Sequence, residues 1–223
     1  MVNKIVLTYL AADFVFVATG GLIMGFSLIS ESLIRATPTI GNVAQDLLLG
    51  ECPLTAGVVN AVFIFVTFVI GLPALVLPNN RGWLRAQGWA VVLCGTFTLI
   101  LGLVIWFDTL ATRSNLSSIW GQTPPLDQSL LQEKFNCCGY LDSQSPPFIQ
   151  DGTCPNALIA AQKQGCVQPF SDFANSYLDL IFTSAFGIVG IDVVMLLSVV
   201  VMIKHRQELE RYRHIDEKNY GGI

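Results

Sequence analysis

Four long hydrophobic runs constrain this chain more than any other feature of its sequence. They cover residues 5–29, 56–77, 89–107 and 180–203, and each ends at charged residues, proline or glycine. A helix needs about 20 mainly apolar residues to cross the hydrocarbon core of a bilayer. The sequence therefore predicts an all-α membrane protein with four transmembrane helices.

Composition and motifs exclude several other classes. With 52 % hydrophobic and 13 % charged residues, the 223-residue chain is too apolar for an ordinary soluble enzyme. A net charge of -4 without a basic cluster gives no footprint for a nucleic-acid partner. The sequence contains no nucleotide-binding loop, zinc-binding helix or nucleophile elbow, so we expect neither an enzyme nor a metal site.

Basic residues predict which side of the membrane each connecting segment faces, because cytoplasmic segments retain Lys and Arg. Eight of the twelve basic residues lie at the N-terminus, in the turn of residues 78–88 or in the tail of residues 204–223. We therefore expect both termini to be cytoplasmic, in a plasma membrane or endomembrane, with residues 1–29 forming the N-terminus and first span. A small segment of residues 30–55 and a large one of residues 108–179 are then extracellular.

Four of the six cysteines, Cys137, Cys138, Cys154 and Cys166, lie in the predicted large extracellular segment. Disulfides persist in an oxidising compartment, and this spacing without a nearby His fits no zinc site. A bond between the adjacent Cys137 and Cys138 would be strained, so we expect each to pair with one of the two later cysteines. The residues alone leave both of these pairings open.

The region before the paired cysteines has helical spacing. Apolar residues recur every three to four positions between residues 126 and 135, after Pro124, which predicts a helix. Gly139 supplies a left-handed stop, so the helix is expected to end through Cys137 and Cys138, with the two thiols about 100° apart. The large segment should be mostly helical and stapled by two disulfides.

Together, these features resemble the tetraspanin family. The four spans, the two outer segments and the Cys-Cys-Gly motif at 137–139 with two later cysteines cover essentially the whole chain. Within that family, Gly-Leu-Pro at 71–73 and Pro-Asn-Asn-Arg-Gly-Trp at 78–83 are most similar to fungal tetraspanins required for host penetration by plant-pathogenic fungi. The resemblance implies the pairs Cys137–Cys166 and Cys138–Cys154. It also implies a scaffold that recruits partner membrane proteins, other tetraspanins and membrane lipids.

Asp13 and Asp192 lie inside predicted spans, where an ionised carboxylate costs at least about 2.5 kcal/mol. They fit three roles: bonding between helices, lining of a lipid cavity, or a catalytic or proton-conducting pair. The third role underlies the alternative function, a small four-span transporter or intramembrane aspartyl enzyme. By resemblance, Thr98 stands at the position of the family's span-three glutamate, and an intramembrane cavity holds a sterol or other lipid. No further cofactor is expected.

Four other residues are candidate sites. Phe148 and Ile149 lie between the Cys-Cys-Gly motif and the two later cysteines. They either contact partner proteins or fill the small core of the loop. Asn115 begins the sequence's only glycosylation sequon, close to the predicted end of span three. Cys94 is the one plausible palmitoylation site, although a buried packing role is the alternative.

Overall fold

A computed structural model describes residues 4–76, 81–110 and 112–220 of the chain. Within these residues the chain is helical, with no β-strand and a single isolated bridge between Gln144 and Pro147. The helices are α1 (Lys4–Ile34), α2 (Val43–Glu51), α3 (Leu54–Val76), α4 (Arg81–Leu110), α5 (Thr112–Gln122), α6 (Pro125–Phe135), α7 (Ala157–Ala160) and α8 (Val167–Tyr220).

Four of these helices, α1, α3, α4 and α8, are long and apolar enough to span a membrane. Each predicted hydrophobic run lies in one of them, apart from Leu77, which is outside the described residues. Helices α1, α4 and α8 extend beyond their runs, whereas α3 covers little more than its own. At 54 residues, α8 is about 80 Å long, against about 30 Å for a bilayer core. The chain is thus a multi-pass membrane protein whose spans are parts of longer helices.

The chain divides into two compact units. The first, here the bundle unit, comprises Met1–Gly25, Ala56–Ile100 and Ala185–Ile223. Its core is formed by apolar side chains from all four long helices. Buried polar residues lie on the same helix faces, at other positions along each helix. The apolar core residues are Tyr9, Phe16, Ile64, Ala74, Leu84, Val91, Cys94, Met195, Val199 and Met202.

The second unit, here the loop unit, comprises Phe26–Thr55 and Leu101–Ser184. Helix α2 from the predicted small extracellular segment packs in the same core as α5, α6 and the start of α8. The buried residues of this core are Val43, Ala44, Leu48, Leu116, Trp120, Leu131, Cys137, Tyr140, Cys166, Phe170 and Ala174. The two predicted outer segments therefore form one folded body.

Helix α6 ends earlier than the sequence predicts. Its last residue is Phe135, and Asn136 takes the left-handed conformation, with φ 51° and ψ 49°. Asn is among the few residues other than Gly that adopt this conformation readily, so it can stop a helix. The expectation that the helix runs through Cys137 and Cys138 to Gly139 is wrong, and both cysteines lie in the irregular segment that follows.

Two disulfides, Cys137–Cys166 and Cys138–Cys154, staple this irregular segment. This is the pairing that the resemblance implies. Backbone hydrogen bonds from Cys138 to Gln164, from Cys166 to Gly139 and from Val167 to Tyr140 join the stretch around residues 138–140 to the stretch around residues 164–167. These two stretches pack closely at Gly139 and Gly165. A Cβ on Gly139, whose φ is 72°, would overlap the backbone of Asp142, and a Cβ on Gly165 would overlap the backbone of Leu141.

Candidate functional site

Asp13 belongs to a buried polar cluster built around Gln87 of α4. The Gln87 amide donates a hydrogen bond of 3.2 Å to Asp13 Oδ1 and accepts one of 2.5 Å from the Tyr9 hydroxyl. Asp13 is 3 % exposed and Gln87 is fully buried. Gly71 of α3 faces the Gln87 side chain, where a Cβ would overlap the amide. The cluster therefore joins α1 to α4 and depends on a small residue in α3.

Thr98 joins α4 to α3. Its hydroxyl accepts a hydrogen bond of 2.8 Å from Asn60 Nδ2 and donates one of 2.9 Å to the Cys94 carbonyl. One turn earlier, Cys94 Sγ lies 3.4 Å from the hydroxyl of Thr67, also on α3. Thr98 thus bonds α4 to α3.

Asp192 of α8 is buried against α4. It is 3 % exposed, and Gly95 leaves the space that its side chain fills. The Thr98 hydroxyl lies near the carboxyl group, but its only hydrogen is donated elsewhere. Among the described residues, neither oxygen of Asp192 has a hydrogen-bond partner.

Asp13 and Asp192 therefore occupy different places. They contact α4 at Gln87 and Gly95, which are eight residues and about 12 Å apart along the helix axis. Within the described residues no hydrogen bond joins the two carboxyl groups. Asp13 fits the helix-bonding role, and this arrangement does not favour a catalytic or proton-conducting pair.

Arg206 of α8 caps the end of α3. Its guanidinium donates a hydrogen bond of 2.5 Å to the carbonyl of Ala74, near the C-terminus of that helix. The last carbonyls of a helix have no partner within it, and a positive charge is favourable there. Arg206 is 9 % exposed, so this contact fixes α8 against α3.

A cleft of about 360 Å³ lies between α1 and α8. Asp13, Thr98 and Asp192, the three candidates for a polar lipid cavity, do not line it. Each of the three is 3 % exposed and packed between helices. The cleft is lined by Lys4, Ile5, Thr8, Tyr9, Ala12, Val194, Leu197, Ser198 and Val201.

In the loop unit, Gln132 organises the segment that follows the paired cysteines. Its fully buried amide donates to the Ile149 carbonyl at 2.8 Å and to Asp151 Oδ2 at 2.6 Å. Its oxygen accepts from the backbone N–H groups of Gly139 at 3.2 Å and Ile149 at 3.1 Å. Asp151 in turn accepts from the N–H of Cys154 at 2.6 Å. One side chain thus ties α6 to the backbone beside both disulfides.

Phe148 and Ile149 are half-buried rather than fully exposed. Phe148 packs against the small cluster of Cys138, Cys154 and Ala160, which favours its core-filling interpretation. The large hydrophobic side chains exposed in the same stapled segment are Leu141, at 60 %, and Leu158, at 72 %. They are stronger candidates for partner contact.

Helix α2 is held to α6 by charge as well as by apolar packing. Lys134 Nζ donates a hydrogen bond of 2.7 Å to the Gly41 carbonyl and lies 5.0 Å from the centre of the Phe173 ring. Burial lowers the pKa of Lys134, while nearby Asp46 raises it. Burial raises the pKa of Asp46, against the opposing effect of Lys134. Each group therefore favours the charged form of the other.

The two candidate modification sites differ. Cys94 is 2 % exposed and belongs to the bundle core, as its packing alternative requires. Asn115 lies in α5, but its side chain is outside the described residues.

Sequence reasoning missed the amides that bond to the acids and backbone. Gln87, Asn60 and Gln132 are buried side chains that stand in apolar or amphipathic stretches. A buried amide needs hydrogen-bond partners, so the amide of Asn60 inside a predicted span was the available signal, whereas Gln87 falls in the predicted turn of residues 78–88. Gln132 had no comparable signal, since its helix also carries exposed polar residues.

Comparison with protein-family models, with curated proteins and with solved structures gives no match for this chain. What the chain does is therefore inferred from its own residues and contacts.

Proposed function

We propose that this chain is a tetraspanin-type membrane organiser that recruits partner proteins through its loop unit. Four helices capable of spanning a membrane and two disulfides at the Cys-Cys-Gly motif support the proposal. On this proposal both termini are cytoplasmic, as the distribution of basic residues indicates, and other tetraspanins and membrane lipids, including a sterol, are partners. The similarity at residues 71–73 and 78–83 adds a role in host penetration by a fungus.

One observation carries the recruiting role. The segment between Cys138 and Cys166 presents Leu141 and Leu158 to solvent on a backbone that is held in place. Gly165 packs against the Leu141 backbone, and the Asn156 side chain caps α7 by accepting from Ile159 N–H at 2.9 Å. Ordered apolar side chains lose little entropy on binding, so they are suited to protein contacts.

A transporter or aspartyl enzyme is the alternative function, and it would use Asp13 and Asp192 together. Within the described residues, the two acids make no contact that would favour this alternative. Asp13 is instead hydrogen-bonded to Gln87. An organiser is the proposal that the arrangement supports better.

The proposal is tested by crosslinking proteins in intact membranes that express the full chain, followed by mass spectrometry. The variant L141S/L158S removes both exposed leucines and leaves all four disulfide cysteines in place. Leu126→Ser is the matched control, because Leu126 is 65 % exposed on α6, outside the stapled segment. Non-reducing gels check that the disulfides form in every variant.

We expect the double variant to lose partners that the wild type and Leu126→Ser both retain. Loss of the same partners in all variants, or of none, would contradict recruitment through the stapled segment.

A further inference from the structure

The cleft between α1 and α8 has no part in the proposed recruitment. It is lined by the first turns of α1 and by one stripe of α8, residues 194, 197, 198 and 201. These four residues recur at the three-to-four-residue spacing of one helix face. The lining is mainly apolar, with Thr8 and Ser198 as its uncharged polar side chains and Lys4 as its charged one.

Both helices that form the cleft are candidate membrane spans. Val194, Leu197 and Val201 in its lining are apolar and are 57 %, 58 % and 51 % exposed. In a bilayer such a surface faces hydrocarbon, and an apolar cleft of this size accommodates an acyl chain better than water. The body of the cleft therefore suits a lipid tail.

One end of the cleft carries positive charge. Lys4 is at the start of α1, and its ammonium forms no ion pair within the described residues. Val201 of α8 lines the cleft together with Lys4 and Ile5 at the start of α1. The part of α8 that follows Val201 is therefore beside the start of α1. Exposed Lys204, three residues after Val201, continues the lining stripe.

Acidic groups near this end are few. Asp13 is buried behind the cleft and bonded to Gln87, and Glu208 stands one further turn along α8 from Lys204. Two lysines stabilise a headgroup of net negative charge, which a sterol hydroxyl and a zwitterionic choline headgroup lack.

We propose that the cleft binds one anionic phospholipid, with an acyl chain against Leu197 and Val201 and its net negative headgroup between Lys4 and Lys204. Basic sites between spans are a general means of binding acidic headgroups. This site is separate from the Asp13, Thr98 and Asp192 positions and does not depend on the proposed organiser function.

The test uses the full chain in phosphatidylcholine vesicles that contain a small fraction of a photoreactive phospholipid. One preparation carries a serine headgroup and the other a choline headgroup, with the same photoreactive acyl chain. Mass spectrometry measures adducts within residues 4–12 and 194–201. We expect the serine lipid to label these peptides more than the choline lipid, and K4A/K204A to reduce that preference by roughly 25-fold, about fivefold per lysine.

Two comparisons with matched controls test the basic end and the apolar body of the cleft separately. Arg85→Ala removes an exposed positive charge from α4 and should leave the headgroup preference unchanged. Ser198→Phe fills the cleft and should abolish both adducts, while Val200→Phe, at a 45 % exposed position of α8 outside the lining, should not. Equal labelling by the two headgroups, displacement of the label by added sterol, or an equal effect of Arg85→Ala would overturn the proposal.

Discussion

Gln87 fills the space that a side chain at Gly71 would need. The Gln87 amide lies so close to Gly71 that an added Cβ would overlap it. In this position the amide bonds to Tyr9 and to Asp13. A glycine in α3 thus determines how α1 and α4 hold a buried acid.

We predict that Gly71→Ala lowers the free energy of unfolding. The added methyl group displaces Gln87 and breaks its buried hydrogen bonds, at a cost of about 1–3 kcal/mol. Gly25→Ala is the control, since a Cβ there meets nothing within 4 Å. Thermal unfolding of the purified chain in detergent should show a lower midpoint for Gly71→Ala alone, and equal midpoints would refute the packing role of Gly71.

A second prediction separates the two buried acids. Asp13→Leu leaves the Gln87 amide without its acceptor and should destabilise the bundle unit by about 1–3 kcal/mol. Asp192→Asn should be neutral or stabilising, because an amide cannot ionise and so removes the cost of burying a carboxylate whose oxygens have no partner among the described residues. Unfolding in detergent measures both. A larger loss for Asp192→Asn than for Asp13→Leu would contradict the separate roles.

The number and place of the membrane helices could be predicted from hydropathy, because the bilayer requires long apolar runs. Their true lengths could not. The 54 residues of α8 continue past the hydrophobic run at both ends, since its polar flanks contain no helix-breaking residue near the run. The sequence predicts the end of α6 too late, because Asn136 takes the left-handed conformation before the chain reaches Gly139.

The candidate site was only partly predictable. Asp13 and Asp192 are conspicuous as charges in apolar runs, but their neighbours depend on which helix faces meet. Phe148 shows the same limit in the loop unit, since one apolar residue in a turn gives no periodicity from which to infer burial. Its contact with the Cys138–Cys154 cluster requires the folded backbone.

A third prediction concerns Gln132. Its replacement by Ala removes four hydrogen bonds made by a fully buried side chain, so we expect the loop unit to lose at least about 2 kcal/mol of stability. Gln132→Glu should also destabilise, because a carboxylate cannot donate to Ile149 or Asp151.

Gln122→Ala is the control, since that exposed side chain makes one surface contact. Hydrogen exchange at the Ile149 N–H, measured with the disulfides intact, should rise in both Gln132 variants and stay unchanged in the control. Unchanged protection in Gln132→Ala would disprove its organising role.

A fourth prediction is a pH dependence set by Asp46. Burial raises the pKa of this carboxyl, and one of its buried oxygens lacks a hydrogen-bond partner among the described residues. The folded loop unit therefore holds this proton to a higher pH than the unfolded chain does. Its stability should fall as the pH rises above the ordinary aspartate value through the folded pKa.

Asp46→Asn should remove this part of the pH dependence, whereas Asp179→Asn, the same charge change at an exposed position, should keep it. Denaturant unfolding at several pH values provides the comparison. Parallel pH curves for the wild type and Asp46→Asn would count against Asp46 as the source.

The central claim is that the stapled segment of the loop unit contacts partner proteins directly. The most direct test places a photoreactive amino acid at position 158 or, as a control, at position 126 of the full chain in intact membranes. We predict discrete protein adducts from position 158 that are missing from position 126. Equal adducts from both positions, or none from position 158, would contradict the claim.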